Sequence, residues 1–207
     1  MTVLYFGAKA PVPGQVKTRL AATVGPRAAA NLYAAFLADL QARFRGAPFP
    51  VAWYVTPAAW PGLRSRRVRI QAGQGWSERQ AHLFRVATAA GHSPVVLAAT
   101  DSPQLEPERV TEAFAALAVH DLVFGPTFDG GYYLVGMRAF HDVFTGVAMS
   151  TESALAQALE RARARRLSVA LLAPEFDVDT AADLAFLAHR RDLAATAAAL
   201  RALEVAA

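Results

Sequence analysis

An α/β fold with helices on both faces of one sheet follows from three features of the sequence. Strand-like apolar runs alternate with helix-like stretches along the whole chain of 207 residues. The run Val95 to Ala99 is continuously apolar, as a strand in the middle of a parallel sheet has to be. With 54% hydrophobic and 18% charged residues there is enough apolar matter for a sizeable core, and the length makes a single domain, residues 1–207, the expectation.

The elements follow in order. Val3 to Phe6 reads as a buried first strand, and the Pro/Gly-rich stretch Ala8 to Gly14 behind it excludes a helix. Pro26 opens a long Ala-rich helix to about Phe44. Val51 to Val55 and Val68 to Gln71 read as short strands, and Ser77 is placed to cap a helix running to about Ala90. After the central strand, Thr100-Asp101-Ser102-Pro103 breaks the chain, and Pro107 starts a helix ending near Val119. Leu122 to Phe124 and Tyr132 to Met137 are strands separated by a Gly-rich turn. Ser150 reads as the cap of a helix reaching Arg165, Leu167 to Leu172 as a last strand, and Thr180 with Asp183 as a capping-box-like helix start. The Ala-rich tail from Ala194 predicts a surface helix. There is no internal repeat and no low-complexity linker.

Composition excludes several classes. With no cysteine, disulfides, thiolate metal sites and a Cys nucleophile are ruled out, so a metal has to be held by oxygen or imidazole. No run approaches the length of a membrane span, and Met1 to Ala8 is too short for a signal peptide's apolar region, so a cytoplasmic location is expected. The groups Arg64 to Arg69 and Arg161 to Arg166 read as solvated faces, with no nucleic-acid surface implied by a net charge of +4. His82, His92, His120, His141 and His189 lack metal-ligand spacing and read as structural, and no Gly-x-Ser-x-Gly elbow is present. Of 21 basic residues only Lys9 and Lys17 are lysine, and both fall before Arg19 in the first loop, a coincidence expected about once in seventy. Lysine binds phosphate as a compact point charge, so a chain otherwise committed to arginine is expected to keep lysine for that use.

In open α/β sheets ligands bind at the carboxyl ends of strands, which selects four places. The loop Lys9 to Leu20 carries Lys9, Gly14, Lys17, Thr18 and Arg19 and suits a phosphate chain, although it is not a Walker loop and reads equally as a rigid surface loop. Asp101, beyond the most buried strand, is placed to hold Mg²⁺ or Mn²⁺ on a diphosphate, or else to cap the next turn. Asp129-Gly130-Gly131-Tyr132-Tyr133 lets backbone approach a ligand, or forms an ordinary hairpin turn; strand alternation sends only one of the tyrosines inward. Asp177 and Asp179 lie on alternate sides of an extended segment entering a helix, so that one can face the same metal as Asp101 unless both serve as caps.

Taken in order, Pro13-Gly14-x-Val16-Lys17-Thr18-Arg19-Leu20, Thr100-Asp101-Ser102-Pro103, Asp129-Gly130-Gly131-Tyr132-Tyr133-Leu134 and Asp177-Val178-Asp179-Thr180 resemble a bacterial glycosyltransferase-like family with the glycosyltransferase-A fold, related to the phospholactate guanylyltransferases. The resemblance runs from about Phe6 to Leu187. It implies a three-layer αβα sandwich with a mostly parallel mixed sheet of the nucleotide-diphospho-sugar transferase type. It further implies that Lys17 and Arg19 meet phosphates, that Asp101 is the main carboxylate for Mg²⁺ or Mn²⁺, and that Asp179 or Asp177 completes that site. Lys17 and Asp101 would be catalytic, with Lys9, Gly14, Thr18, Gln71, Arg79, Ser102, Asp129, Gly130, Gly131 and Tyr132 binding substrate. The implied activity is metal-dependent glycosyl transfer from a nucleotide sugar to a small acceptor. Nucleotidyl transfer from a nucleoside triphosphate with release of pyrophosphate, or nucleotide binding without catalysis, are the alternatives. The stretch Gln71 to Arg79 departs from the family pattern at Trp76-Ser77, where a Leu-Gly pair is typical, and Met149 stands where a Trp is expected.

Overall fold

The computed structural model describes residues 1–187 and 190–206, so that His189 lies outside the described residues. The strands are β1 (Val3–Lys9), β2 (Val51–Thr56), β3 (Val68–Ile70), β4 (Val95–Ala99), β5 (Leu122–Pro126), β6 (Tyr132–Met137) and β7 (Val169–Leu171). They form one sheet in the order β3-β2-β1-β4-β6-β5-β7. β6 runs antiparallel to β4 and β5, and the other pairings are parallel, which makes the sheet mixed but mostly parallel. Order reverses between β1 and β4, whose neighbouring carboxyl ends therefore open a crevice at the topological switch point.

The helices are α1 (Thr18–Val24), α2 (Pro26–Arg43), α3 (Trp76–Ala89), α4 (Pro107–Ala116), α5 (Ala154–Ala164), α6 (Leu184–Leu187) and α7 (Ala194–Ala206). Side chains alternate across each strand, so Leu4, Phe6 and Ala8 of β1 enter a core shared with α1, α2 and α4, while Val3 and Tyr5 enter a second core with α3 and α5. Three layers result, as the alternation of elements predicts. No described helix is long and apolar enough to cross a membrane.

Several boundaries differ from the sequence expectation for identifiable reasons. Thr18–Val24 is helical where the Pro/Gly-rich sequence predicts loop through Arg19; it starts after Lys17, whose backbone is left-handed at φ 46 and ψ 48. α3 begins at Trp76 with Gly75 at the cap position, because the Ser77 hydroxyl is used on Val147 O at 3.1 Å. α5 begins at Ala154, beyond Ser150, since residues 148–153 are tied into a loop by Thr151 Oγ1 to Ala148 O and by Gln157 Oε1, which accepts from Ala148 N. α4 stops at Ala116, short of Val119. Asp183 accepts from Thr180 N at 2.7 Å, the reciprocal half of a capping box, ahead of the short α6. α7 is docked: the buried Asp39 of α2 accepts from Ala195 N at 2.9 Å and Thr196 N at 2.8 Å, capping α7 from another helix.

Candidate active site

The carboxyl ends of β1 and β4 and the segment after β7 surround a cleft of about 700 Å³. Lys17 lines it at the start of α1, Asp101 follows β4, and Asp177 and Asp179 come in from the segment after β7, which is pinned to β4 by Val178 N donating to Asp101 O at 2.9 Å. Val178 is fully buried, while Asp177 and Asp179 both line the cleft on the same side rather than on alternate sides as expected, because residues two apart in an extended segment share a face.

Lys17 is the centre of the charge arrangement. Its ammonium pairs with Asp101 and, at 3.0 Å, with Asp179 Oδ1; the Lys17 side chain is 3% exposed, whereas those of Asp101 and Asp179 are 41% and 38% exposed. Burial acts to lower the lysine pKa, but the two carboxylates more than offset that and raise it above the ordinary value, so the group is a permanent cation. Arg19, on the open side, reaches Asp179 Oδ2 at 3.4 Å. Asp177 behaves differently. Burial, then the neighbouring charge of Asp101, pushes its carboxyl up to about 7, against the opposing effect of the hydrogen bond it accepts from Ser102 Oγ.

Behind the charges lies a network that holds the strand ends. The Tyr33 hydroxyl of α2 accepts from Lys9 N at 3.2 Å and donates to Thr100 Oγ1 at 2.8 Å, since Thr100 Oγ1 gives its own proton to Gly7 O at 3.1 Å. The Tyr33 ring lies 6.0 Å from the Lys17 ammonium, and burial followed by the Asp101 charge raises its hydroxyl to about 12, so it stays protonated. Thr100 opens the Thr100-Asp101-Ser102-Pro103 motif without being singled out as a site residue, and Tyr33 belongs to no motif. The signal for Tyr33 is a large amphipathic ring within an Ala-rich helix, whose hydroxyl needs a partner once buried.

The far wall is built on the loop before α3. Gln71 Nε2 donates to Tyr54 O at 2.7 Å and Ala8 O at 3.2 Å, and its Oε1 accepts from Arg79 Nη1 at 3.2 Å; Arg79 Nε also donates to Gly73 O at 3.0 Å. Arg79 has no carboxylate partner among the described residues, and so leaves net positive charge on this wall. Beside it the Trp76 ring lies over β1, where only a glycine leaves room: a Cβ on Gly7 would stand 2.6 Å from Trp76 Cη2. Tyr132 gives its hydroxyl to Gln80 Oε1 at 3.0 Å, with Met149 Sδ at 3.5 Å, and presents its ring. Of the three positions at which the sequence departs from the family pattern, Trp76 and Met149 line the cleft, and Ser77 does not.

Of the residues selected from sequence, Lys9, Lys17, Thr18, Arg19, Gln71, Arg79, Asp101, Asp129, Gly131, Tyr132, Asp177 and Asp179 line the cleft. Gly14, Ser102 and Gly130 do not. Gly14 sits in an exposed turn with positive φ, and Ser102 is buried and orients Asp177. Gly130, at φ 84, lets the Glu152 carbonyl approach to 2.0 Å from where a Cβ would be, which packs the 127–131 loop onto the start of α5. Asp129 accepts from Thr127 Oγ1 and, at 3.2 Å, from Gly131 N, shaping that loop. Tyr132 and Tyr133 point to opposite faces as strand alternation requires, but both are packed because helices cover both faces; Tyr133 donates to Ala173 O at 3.2 Å.

Among the described residues no three His, Cys, Asp or Glu side chains gather in metal-binding geometry. Asp101 and Asp179 do gather on one cation, the Lys17 ammonium, and keep open faces toward the cleft. Two carboxylates completed by substrate oxygens and water are the donor set that Mg²⁺ takes beside phosphates, so the residues present fit such an ion.

A family model described as "Uncharacterized protein conserved in bacteria (DUF2064)" matches residues 49–151. The crystal structure of a provisionally designated nucleotide-diphospho-sugar transferase from Desulfovibrio desulfuricans superposes with a TM-score of 0.89 at 31% identity, over 99% of this chain and 95% of that one. The chain belongs to this family. It is a transferase with the nucleotide-diphospho-sugar transferase fold, as the ordered motifs imply. A nucleotidyl transferase from Methanothermobacter shares the fold at a TM-score of 0.61 and 15% identity, covering 98% of this chain and 99% of that one. So does a 4-diphosphocytidyl-2C-methyl-D-erythritol synthase from Anaerococcus prevotii, with a TM-score of 0.54 at 10% identity, over 90% of this chain and 93% of that one. No curated protein matches the sequence.

Proposed function

We propose that this protein transfers a glycosyl group from a nucleotide-diphospho-sugar to a small acceptor, with Mg²⁺ or Mn²⁺ held by Asp101 and Asp179. The observation that carries the reading is the meeting of Lys17, Asp101 and Asp179 at the carboxyl ends of the central strands, inside a cleft also lined by Arg19 and Arg79. Kinship to the Desulfovibrio protein supports the donor class.

In this reading Lys17 and Arg19 bind the diphosphate and orient it across the ends of β1 and β4. Arg79, fixed by Gln71 and Gly73, adds positive charge on the opposite wall. The metal, when bound, supplies charge to offset that developing on the leaving diphosphate, the main electrostatic demand of the reaction. Asp177, whose carboxyl is pushed up to about 7 by burial and the Asp101 charge, is oriented by Ser102. Tyr33 and Thr100 keep β1, β4 and the lysine in register, while Trp76, Tyr132 and Met149 wall off one side of the cleft for the transferred group or its acceptor.

A thermal-shift panel of nucleotides, nucleotide sugars and Mg²⁺ or Mn²⁺ tests this. Ligand at a hundred times its Kd adds about 2.7 kcal/mol, which for a domain of this size raises Tm by about 5–10 °C. Protection by diphosphate sugars with metal is the expected result. Protection by nucleoside triphosphates alone would move the assignment to nucleotidyl transfer, and no shift with either would contradict both.

A further inference from the structure

The Lys17 ammonium occupies the place where the two cleft carboxylates would share a cation, buried itself while Asp101 and Asp179 stay open. The geometry points to Lys17 as an internal counter-ion that makes the cleft take a divalent cation and a polyanion together and neither of them well alone. This deepens the metal assignment proposed above and rests on it.

The argument is one of charge. A free dication entering between Asp101 and Asp179 meets an ammonium already paired with both, and must either displace it or share its ligands with a like charge. A diphosphate arriving without metal meets Arg19 and Arg79 but also the carboxyl groups of Asp101, Asp177 and Asp179, and the charge of Lys17 is already matched by Asp101 and Asp179. A polyanion carrying its own dication satisfies every partner, since its oxygens accept from Lys17 as the metal takes the carboxylate oxygens.

Lysine suits such an exchange. Its compact ammonium, with three rotatable donors on a flexible stem, changes partners more readily than a planar guanidinium fork. The stem starts from a fixed point, the left-handed Lys17 backbone at the head of α1, and the Tyr33 ring beside it shelters the charge. Arg19, 61% exposed and 3.4 Å from Asp179, keeps part of the compensation in place while Lys17 moves. By linkage, the factor by which the polyanion tightens metal binding is the factor by which metal tightens polyanion binding.

The test is Mn²⁺ binding to the full chain, followed by electron paramagnetic resonance with Mn²⁺ alone, for wild type and the Lys17→Met and Lys17→Gln variants, each checked for folding by circular dichroism. Both variants are expected to bind Mn²⁺ about tenfold more tightly, the factor that applies when the wild-type carboxylates are free about a tenth of the time. Arg85→Met, which removes an exposed cation outside the cleft, leaves Mn²⁺ affinity unchanged. Adding Asp101→Asn to Lys17→Met cancels the gain. Pyrophosphate, a polyanion without a base, stabilises the wild type to heat with Mn²⁺ by more than the two do separately, and this excess disappears in the Lys17 variants. Equal or weaker Mn²⁺ binding by both Lys17 variants overturns the inference alone, as does a gain that survives Asp101→Asn. Absence of Mn²⁺ binding by every form, with or without pyrophosphate, overturns the proposed metal site along with it.

Discussion

Asp177→Asn removes a cleft carboxyl whose titration falls near neutrality, and its consequence for stability has a definite sign. The folded state raises this group from 3.8 to about 7, by burial first and by the Asp101 charge second. Between those values the folded chain binds a proton that the unfolded chain has released, so the stabilisation from protonated Asp177 is complete below about pH 4 and is lost as pH rises through about 7. A displacement of that size corresponds to at most about 4 kcal/mol. Asp177 is only partly buried and faces a solvent-filled cleft, which halves this to about 2 kcal/mol. For a domain of this length that is a Tm difference of about 4–8 °C. In metal-free buffer, calorimetric melting of both proteins from pH 4 to pH 8 should therefore show wild type losing stability relative to Asp177→Asn as pH rises, most of it between about pH 4 and 7. Parallel pH profiles for the two would refute the reasoning.

Other substitutions probe the remaining parts of the account. Asp39→Ala deprives Ala195 N and Thr196 N of their shared acceptor and should cost about 1–2 kcal/mol, seen as a lower Tm and faster amide exchange confined first to α7. Gly7→Ala sets a methyl 2.6 Å from Trp76 Cη2 and 3.3 Å from Leu97 Cδ1, so the indole must shift; a loss of about 1–3 kcal/mol with an altered tryptophan fluorescence spectrum is expected. Asp101→Asn is expected to abolish metal-dependent turnover while the circular dichroism spectrum stays unchanged, and full activity in that variant would remove Asp101 from the metal assignment.

Much of this molecule is legible in its sequence because the inner strands bury both faces. Val95–Ala99 and Tyr132–Met137 are found at the bounds their apolar runs predict, and Pro107 opens α4 as its fixed φ requires. Helix starts are harder to read, because a serine near a helix start is a cap only if nothing else claims its hydroxyl. Val147 O claims that of Ser77, and α3 begins after Gly75 with no side-chain cap at all. α1 is hidden in a Pro/Gly loop because it depends on a lysine in the left-handed region, a conformation no propensity favours. The candidate cleft follows a similar division. Its carboxylates could be nominated because they follow strands, where ligands of such sheets bind. Contacts that cross the chain could not: Ser102 meets Asp177, Tyr33 meets Thr100, and Asp39 reads as a polar position in an Ala-rich helix until its partner, 156 residues away, is seen.

The most direct test of the central claim is an anomalous difference map from crystals grown with Mn²⁺ and a nucleoside diphosphate. The account predicts one strong peak between the carboxylates of Asp101 and Asp179, bridged to the β-phosphate, with the Lys17 ammonium on a phosphate oxygen. A Mn²⁺ peak elsewhere, or a diphosphate bound away from Lys17, would contradict it.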